Sequence, residues 1–272
     1  MTTTRTLDVP GARLRYEVRG SGPLLLLMGS PMDAAAFAPL AEALAGDHTV
    51  VTHDPRGISG SVLDDPEQDS TPELRADDVS ALLDALEADS ADVLGSSGGA
   101  VTGLALIARH PGRVRTLVAH EPPLLELLPD AAEQRAAAED IVATFHREGV
   151  AAAWGRFMGN AGFDTGPGAA EDAPGPPPGE PSEQDLANSA RFFAHELLHT
   201  SLYIPDLAAL TAGPTRVVIG IGATSAGLIT ARTSRALSER IGTPPVEFPG
   251  DHGGFTDQPK EFAERLREVL KG

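Results

Sequence analysis

At 272 residues the chain is long enough for one large α/β domain with a real core, or for two small domains. Hydrophobic residues make up 41% and aromatic residues only 4%, so the core must be built mainly from Leu, Val, Ile and Ala. A formal net charge of −18 repels phosphate backbones and anionic lipid, which excludes nucleic acid and membrane surfaces as expected partners and reads most simply as solubility. With no cysteine there are no disulfides, thiolate nucleophiles or Cys-bound metals. No apolar stretch near the N-terminus could serve as a signal-peptide core, and the longest such run, Leu24–Met28, is far too short to span a bilayer. A cytoplasmic soluble protein is the expectation.

Taken in chain order, apolar runs alternate with helical spacing, the pattern of a largely parallel sheet flanked by helices. Residues 6–9 and 14–18 flank Pro10-Gly11 and read as an opening hairpin. Leu24–Met28 is the continuous apolar run of a strand covered on both faces. Helical spacing over 34–44 and a strand over 49–54 follow. Thr71-Pro72-Glu73 supplies a capping hydroxyl, a first-turn proline and an early acid, so a helix begins there, with Leu74, Val79, Leu82, Leu83 and Leu86 as its apolar stripe. A strand ending at Leu94, a helix over 99–110 and a strand over 114–119 come next.

The centre differs in character. From 124 to 210 the pattern is helical or irregular, and within it 166–181 is too rich in Pro and Gly for a regular element. That stretch reads as a mobile loop inside an inserted lid. The alternation then resumes with a strand over 216–221, a helix over 227–241, a strand at Val246–Phe248 and a last helix over 259–270. The expected division is a core domain formed by 1–123 and 213–272, interrupted by a helical lid insertion over 124–212. The fold class is α/β, with a mostly parallel eight-stranded sheet.

The segment with the clearest chemistry is Asp92-Val93-Leu94-Gly95-Ser96-Ser97-Gly98-Gly99-Ala100. It contains G-x-S-x-G centred on Ser97, after an expected strand and before an expected helix, the context a nucleophile elbow requires. So sharp a turn needs flanking positions without bulk, hence Gly95 and Gly99, and the N–H of Gly98 would lie at a helix start. The competing reading is a plain strand-to-helix turn. Ser96 lacks the glycine spacing and reads as a turn residue.

A serine hydroxyl is unreactive at neutral pH without a general base. Of eight histidines, only His252 follows the last expected strand, with glycines on both sides that let its loop fold over the sheet edge. His53, His110, His120, His146, His195 and His199 read as surface, helix-end or lid residues, and His48 as part of a polar turn. A third member, an acid, would orient the base. Its usual place, after the strand over 216–221, is empty, since no Asp or Glu occurs between Asp206 and Glu239. The alternative place, the end of the preceding strand, holds Glu121. Against that role stands a capping or salt-bridged acid. Asp251 is a second rival, but a residue adjacent to the base seldom reaches its far nitrogen.

Met28-Gly29-Ser30-Pro31 follows the apolar strand Leu24–Leu27, and the backbone N–H of Ser30 would pair with that of Gly98 to hold a developing oxyanion. Apolar bulk concentrates in the insertion at Trp154, Phe157, Met158, Phe192, Phe193, Leu197, Leu198 and Tyr203. Met28, Trp154, Phe157 and Phe192 are the expected substrate contacts, and a moderately hydrophobic, uncharged substrate follows from that lining.

The turn Gly95–Gly99, the stretch Asp54-Pro55-Arg56-Gly57-Ile58-Ser59, the loop Gly250-Asp251-His252 and the order of strands together resemble the α/β-hydrolase family along essentially the whole chain. Within it, Ser96-Ser97-Gly98 with His120-Glu121, and the carboxylate-free Gly222-Ala223-Thr224, look like the zearalenone lactonases. The resemblance implies hydrolysis of a small ester or lactone through Ser97, His252 and Glu121, without cofactor or metal. The expected partner is then the small-molecule substrate itself, with no nucleic acid and no membrane; a homodimer is compatible with the sequence. Because fold does not fix function, a non-hydrolytic lyase or cyclase, or a small-molecule binding protein, stands as the alternative.

Overall fold

The computed structural model describes residues 2–163 and 181–272. Its centre is a sheet in the order β1-β2-β4-β3-β6-β7-β8-β9, and a ninth strand, β5, pairs with β2 off this path. The strands are β1 (Thr2–Val9), β2 (Ala12–Gly20), β3 (Leu24–Met28), β4 (Thr49–His53), β5 (Val62–Leu63), β6 (Ala91–Ser96), β7 (Val114–His120), β8 (Arg216–Gly222) and β9 (Val246–Phe248). β1, β2 and β5 pair antiparallel, as do β2 and β4. From β4 through β3, β6, β7 and β8 to β9 every pairing is parallel. Among the described residues the two-residue β5 is the one strand that the apolar pattern does not predict, since Val62 and Leu63 are too short a run to show a period.

Period-two alternation distributes β3 between two cores. Leu25 and Leu27 pack with Phe37, Leu40 and Phe262 on one face. Leu26 and Met28 pack with Val79, Leu82, Leu83 and Leu104 on the other. The helices covering these faces are α1 (Ala38–Leu44), α2 (Pro72–Ala85) and α3 (Gly98–Arg109), then α9 (Ile229–Ile241), α10 (Gly254–Asp257) and α11 (Pro259–Lys271). α2 starts as its sequence dictates, with Thr71 Oγ1 accepting from the Leu74 N–H at 3.2 Å. α1 starts four residues later than the apolar spacing predicts. The Asp33 carboxylate takes the N–H groups of Ala35 and Ala36 into a turn, and Pro39 fits the first turn of the helix.

Between β7 and β8 the chain forms α4 (Ala131–Glu148), α5 (Val150–Ala161), α6 (Glu183–His195), α7 (Leu197–Ser201) and α8 (Leu207–Ala212). No strand interrupts them among the described residues. The Pro/Gly-rich loop over 166–181 lies outside the described residues except for Pro181. α6 is tied to the body: Arg191 Nη1 donates to the Pro66 carbonyl at 2.8 Å, and the His195 carbonyl accepts from the Ser70 N–H at 3.0 Å. Among the described residues no helix is long and apolar enough to cross a membrane.

This topology brings the carboxyl ends of β3, β6, β7, β8 and β9 to one edge of the sheet, beneath the inserted helices.

Candidate active site

β6 ends at Ser96 and α3 begins at Gly98, leaving Ser97 alone to reverse the chain. It does so at φ 55°, ψ −123°, a conformation costly to a residue with a side chain. Close approach explains its neighbours. A Cβ at Gly95 would stand 2.5 Å from the Gly99 carbonyl oxygen, and one at Gly99 would stand 2.1 Å from that of Met28. The turn is anchored by the Ser97 N–H, which donates to the His120 carbonyl at 2.9 Å. Gly98 is the first residue of α3, so its N–H has no acceptor within the helix. It lies against the loop after β3, since a Cβ there would be 2.6 Å from the Ser30 carbonyl oxygen.

His252, in the loop after β9, places Nδ1 2.7 Å from Glu121 Oε2. Glu121 follows β7 and adopts φ 51°, with its N–H bound to the Gly220 carbonyl. The carboxylate is saturated from two further elements. Oε1 accepts from the Gly222 N–H at 2.9 Å at the end of β8, and Oε2 from Thr230 Oγ1 at 2.7 Å in the first turn of α9. Burial pushes the Glu121 carboxyl up, but the hydrogen bond and charge of His252 outweigh it, and the group is held well below the usual carboxylate range. An ionised carboxylate only accepts, so in this pair His252 Nδ1–H is the donor, and the ring is held with Nε2 as its other nitrogen. Asp251 is engaged locally, with Oδ1 accepting from the Gly253 N–H at 2.8 Å.

Ser97, His252, Ser30 and Gly98 line one cavity of about 440 Å³. Trp154, Phe157, Phe192 and Leu197 of the inserted helices line the same space. Trp154 stacks on Phe192 at 5.7 Å, meets Phe157 edge-on at 5.3 Å, and donates Nε1–H to Ser189 Oγ at 3.0 Å. The lining includes Asp33, Asp185 and Asp257 but no Lys or Arg among the described residues, and the sequence over 164–180 contains none either. Among the described residues no cluster of three His, Cys, Asp or Glu could hold a metal ion.

Three expectations need correction. Met28, expected to touch substrate, is instead buried in the core against Gly103 of α3, because alternation along β3 turns its side chain to that face. Ser96 is not a turn residue but the last residue of β6, buried, with Oγ 3.1 Å from His120 Nδ1. His53 and His120 are not surface residues; each ends a strand and is buried, and burial chiefly brings each down to about 4. Sequence reasoning also missed the roles of Gly222 and Thr230: the bond of Gly222 to Glu121 comes from the pairing of β8 beside β7, and that of Thr230 from the packing of α9 on β8. It missed Phe163 as well, whose ring lies 6.2 Å from that of His252.

Residues 24–265 match the sequence pattern described as the Alpha/beta hydrolase family. The uncharacterized hydrolase YraK of Bacillus subtilis (strain 168) is 37% identical over 273 residues, covering 98% of this chain and 95% of that protein. A zearalenone hydrolase of Bionectria ochroleuca is 33% identical over 128 residues, covering 45% of this chain and 48% of that protein. Among solved structures, a thermophilic esterase from Thermogutta terrifontis is similar in fold. Its TM-score is 0.75 at 20% identity, covering 100% of this chain and 98% of that one.

Proposed function

The chain belongs to the alpha/beta hydrolase family, and on that premise we propose that it cleaves a small, moderately hydrophobic, uncharged carboxylic ester or lactone by acyl transfer. The observation that carries this reading is the 2.7 Å pair of His252 with the buried Glu121, on the same cavity as the strained Ser97. Ser97 Oγ attacks the carbonyl carbon while His252 Nε2 takes its proton, and the imidazolium so formed is stabilised by Glu121. The N–H groups of Ser30 and Gly98 receive the charge that develops on the carbonyl oxygen. His252 then gives its proton to the leaving alkoxide. A water molecule, deprotonated by the same nitrogen, releases the acid and restores Ser97.

That the substrate carries no negative charge is supported by the cavity wall: aromatic rings on one side, and no Lys or Arg to pair with a substrate carboxylate among the described lining residues. The inserted helices, which supply those rings, act in this reading as the lid. The zearalenone hydrolase similarity supports including lactones among the candidate substrates.

The test is turnover of a panel of p-nitrophenyl esters and aromatic macrolactones by the wild type and by Ser97→Ala, His252→Ala and Glu121→Gln. Wild-type turnover is expected, with losses of about 10³-fold or more in Ser97→Ala and His252→Ala. A wild type inactive on every substrate, or a fully active Ser97→Ala, overturns the reading and favours a binding protein or a lyase on the same scaffold.

A further inference from the structure

Glu196 stands between α6 and α7, where the change of direction from one helix to the next turns its side chain inward until 1% of the residue is exposed. Its Oε2 accepts from the hydroxyl of Ser30 at 2.7 Å, across 166 positions of sequence, and Ser30 is itself 3% exposed. Its other oxygen, Oε1, is buried with no hydrogen-bond partner among the described residues. A buried carboxylate held by one neutral hydroxyl is expensive, and an apolar side chain would fill the position at lower cost. Arg75 and Arg191 both lie close enough to feel its charge, but Arg75 spends its donors on Thr102, Ser70 and Thr200, and the Arg191 Nη groups donate to the Pro66 and Gln68 carbonyls. The two arginines offset its charge at a distance without bonding to it, whereas its one side-chain hydrogen bond among the described residues ends on the residue whose N–H faces the oxyanion in the reading above.

We propose that Glu196 is a positioning residue: from the inserted helices it tethers the Ser30 side chain, and so holds the Ser30 N–H in line with that of Gly98. This rests on the assignment of Ser30 to the oxyanion site. The inserted helices thus do more than cover the substrate. Their docking on the body, through Arg191 and the His195 carbonyl, and the completion of the oxyanion site are one event. Thr200 extends the link, since its N–H donates to the Glu196 carbonyl while its hydroxyl accepts from Arg75.

Kinetics on an uncharged p-nitrophenyl ester test the tether. Glu196→Ala and Ser30→Ala are each expected to lower kcat by about 10- to 100-fold with KM within about twofold, the signature of lost transition-state binding. The inhibition constant of a trifluoromethyl ketone, whose hemiketal oxygen occupies the oxyanion site, should rise by the same factor. The double variant should be no worse than the worse single one, because both remove one bond. Glu196→Gln keeps an oxygen that accepts from Ser30 and should recover most of kcat; it also serves if Glu196→Ala fails to fold. Unchanged kcat in Glu196→Ala, losses that multiply in the double variant, or an effect on KM alone would overturn the proposal. Apart from turnover, the Ser30 amide resonance should move in Glu196→Ala and not in Glu196→Gln, and an amide unmoved in both refutes the tether. If Ser97→Ala keeps full activity while the Ser30 amide still responds to Glu196, the hydrolase reading fails and the tether stands.

Discussion

Individual side chains near the cavity carry energies large enough to measure one at a time. Thr230 Oγ1 donates to an ionised, buried carboxylate, a class of bond worth about 1.5–3 kcal/mol. Thr230→Val should lower unfolding stability by that amount in urea, and should lower kcat less than Glu121→Gln does, since His252 and Gly222 still hold Glu121. His53 and His120 bear on pH instead. Burial brings both from the ordinary 6.5 down to about 4, aided for His53 by the charge of Arg75. Near pH 7 neither state holds the proton and the contribution is nil. As pH falls from about 6.5 to about 4, the unfolded chain binds protons that the native state refuses, so stability is lost, up to about 3 kcal/mol for each residue. The urea midpoint should therefore fall between about pH 7 and about pH 5, above the range where carboxylates titrate, and fall less steeply in His120→Asn. Equal slopes in the two proteins would contradict this.

Whole elements are held by a few buried contacts, and these set what a substitution costs. The Arg56 guanidinium grips Asp78 of α2 through two bonds, of 2.7 and 2.6 Å, and both residues are buried. Asp78→Ala strands that cation, so a loss of about 3–5 kcal/mol is expected by chemical denaturation. α5 and α6 meet the cavity through Trp154, Phe157 and Phe192, whose rings stack and abut one another. Trp154→Ala should raise KM for aromatic esters by about 3- to 10-fold while leaving short aliphatic acetates almost unaffected. An equal change for both classes would mean that Trp154 only packs α5 on α6.

For the molecule as a whole, the net charge of −18 and the cation-free lining act in the same direction. An anionic ester should be a poorer substrate than its neutral isostere, through long-range repulsion outside and the lack of a counter-charge inside. Salt separates the two causes. Raising ionic strength from about 0.01 M to about 0.15 M shortens the Debye length from about 30 to about 8 Å. The part of the kcat/KM difference due to the surface should close, and the part due to the cavity should remain. No difference at either ionic strength would remove charge as a determinant of selectivity.

Most of the architecture follows from local pattern. β3 and β9 run over the residues their apolar runs mark, α2 begins at its capping threonine, and Ser97 occupies its turn because only glycines at 95 and 99 admit the neighbouring carbonyls. These are short-range matters of backbone sterics and hydrophobic period, and a sequence states them directly. Glu121 was legible by a different route, through the missing acid between Asp206 and Glu239, but its partners were not. Whether its carboxylate meets His252, Gly222 and Thr230 depends on how β7, β8, α9 and the loop after β9 converge. Met28, His53 and His120 show the same limit from the other side. Each has a side chain that could serve a site, and the face onto which its strand end turns decides that each is core. Glu196 carries no sequence signal at all: its role is inferred from a bond across 166 residues. Local chemistry thus determined which elements form and where the chain reverses. Tertiary packing alone decided which polar groups meet, because a buried hydrogen bond depends on tenths of an ångström between segments that the sequence holds far apart.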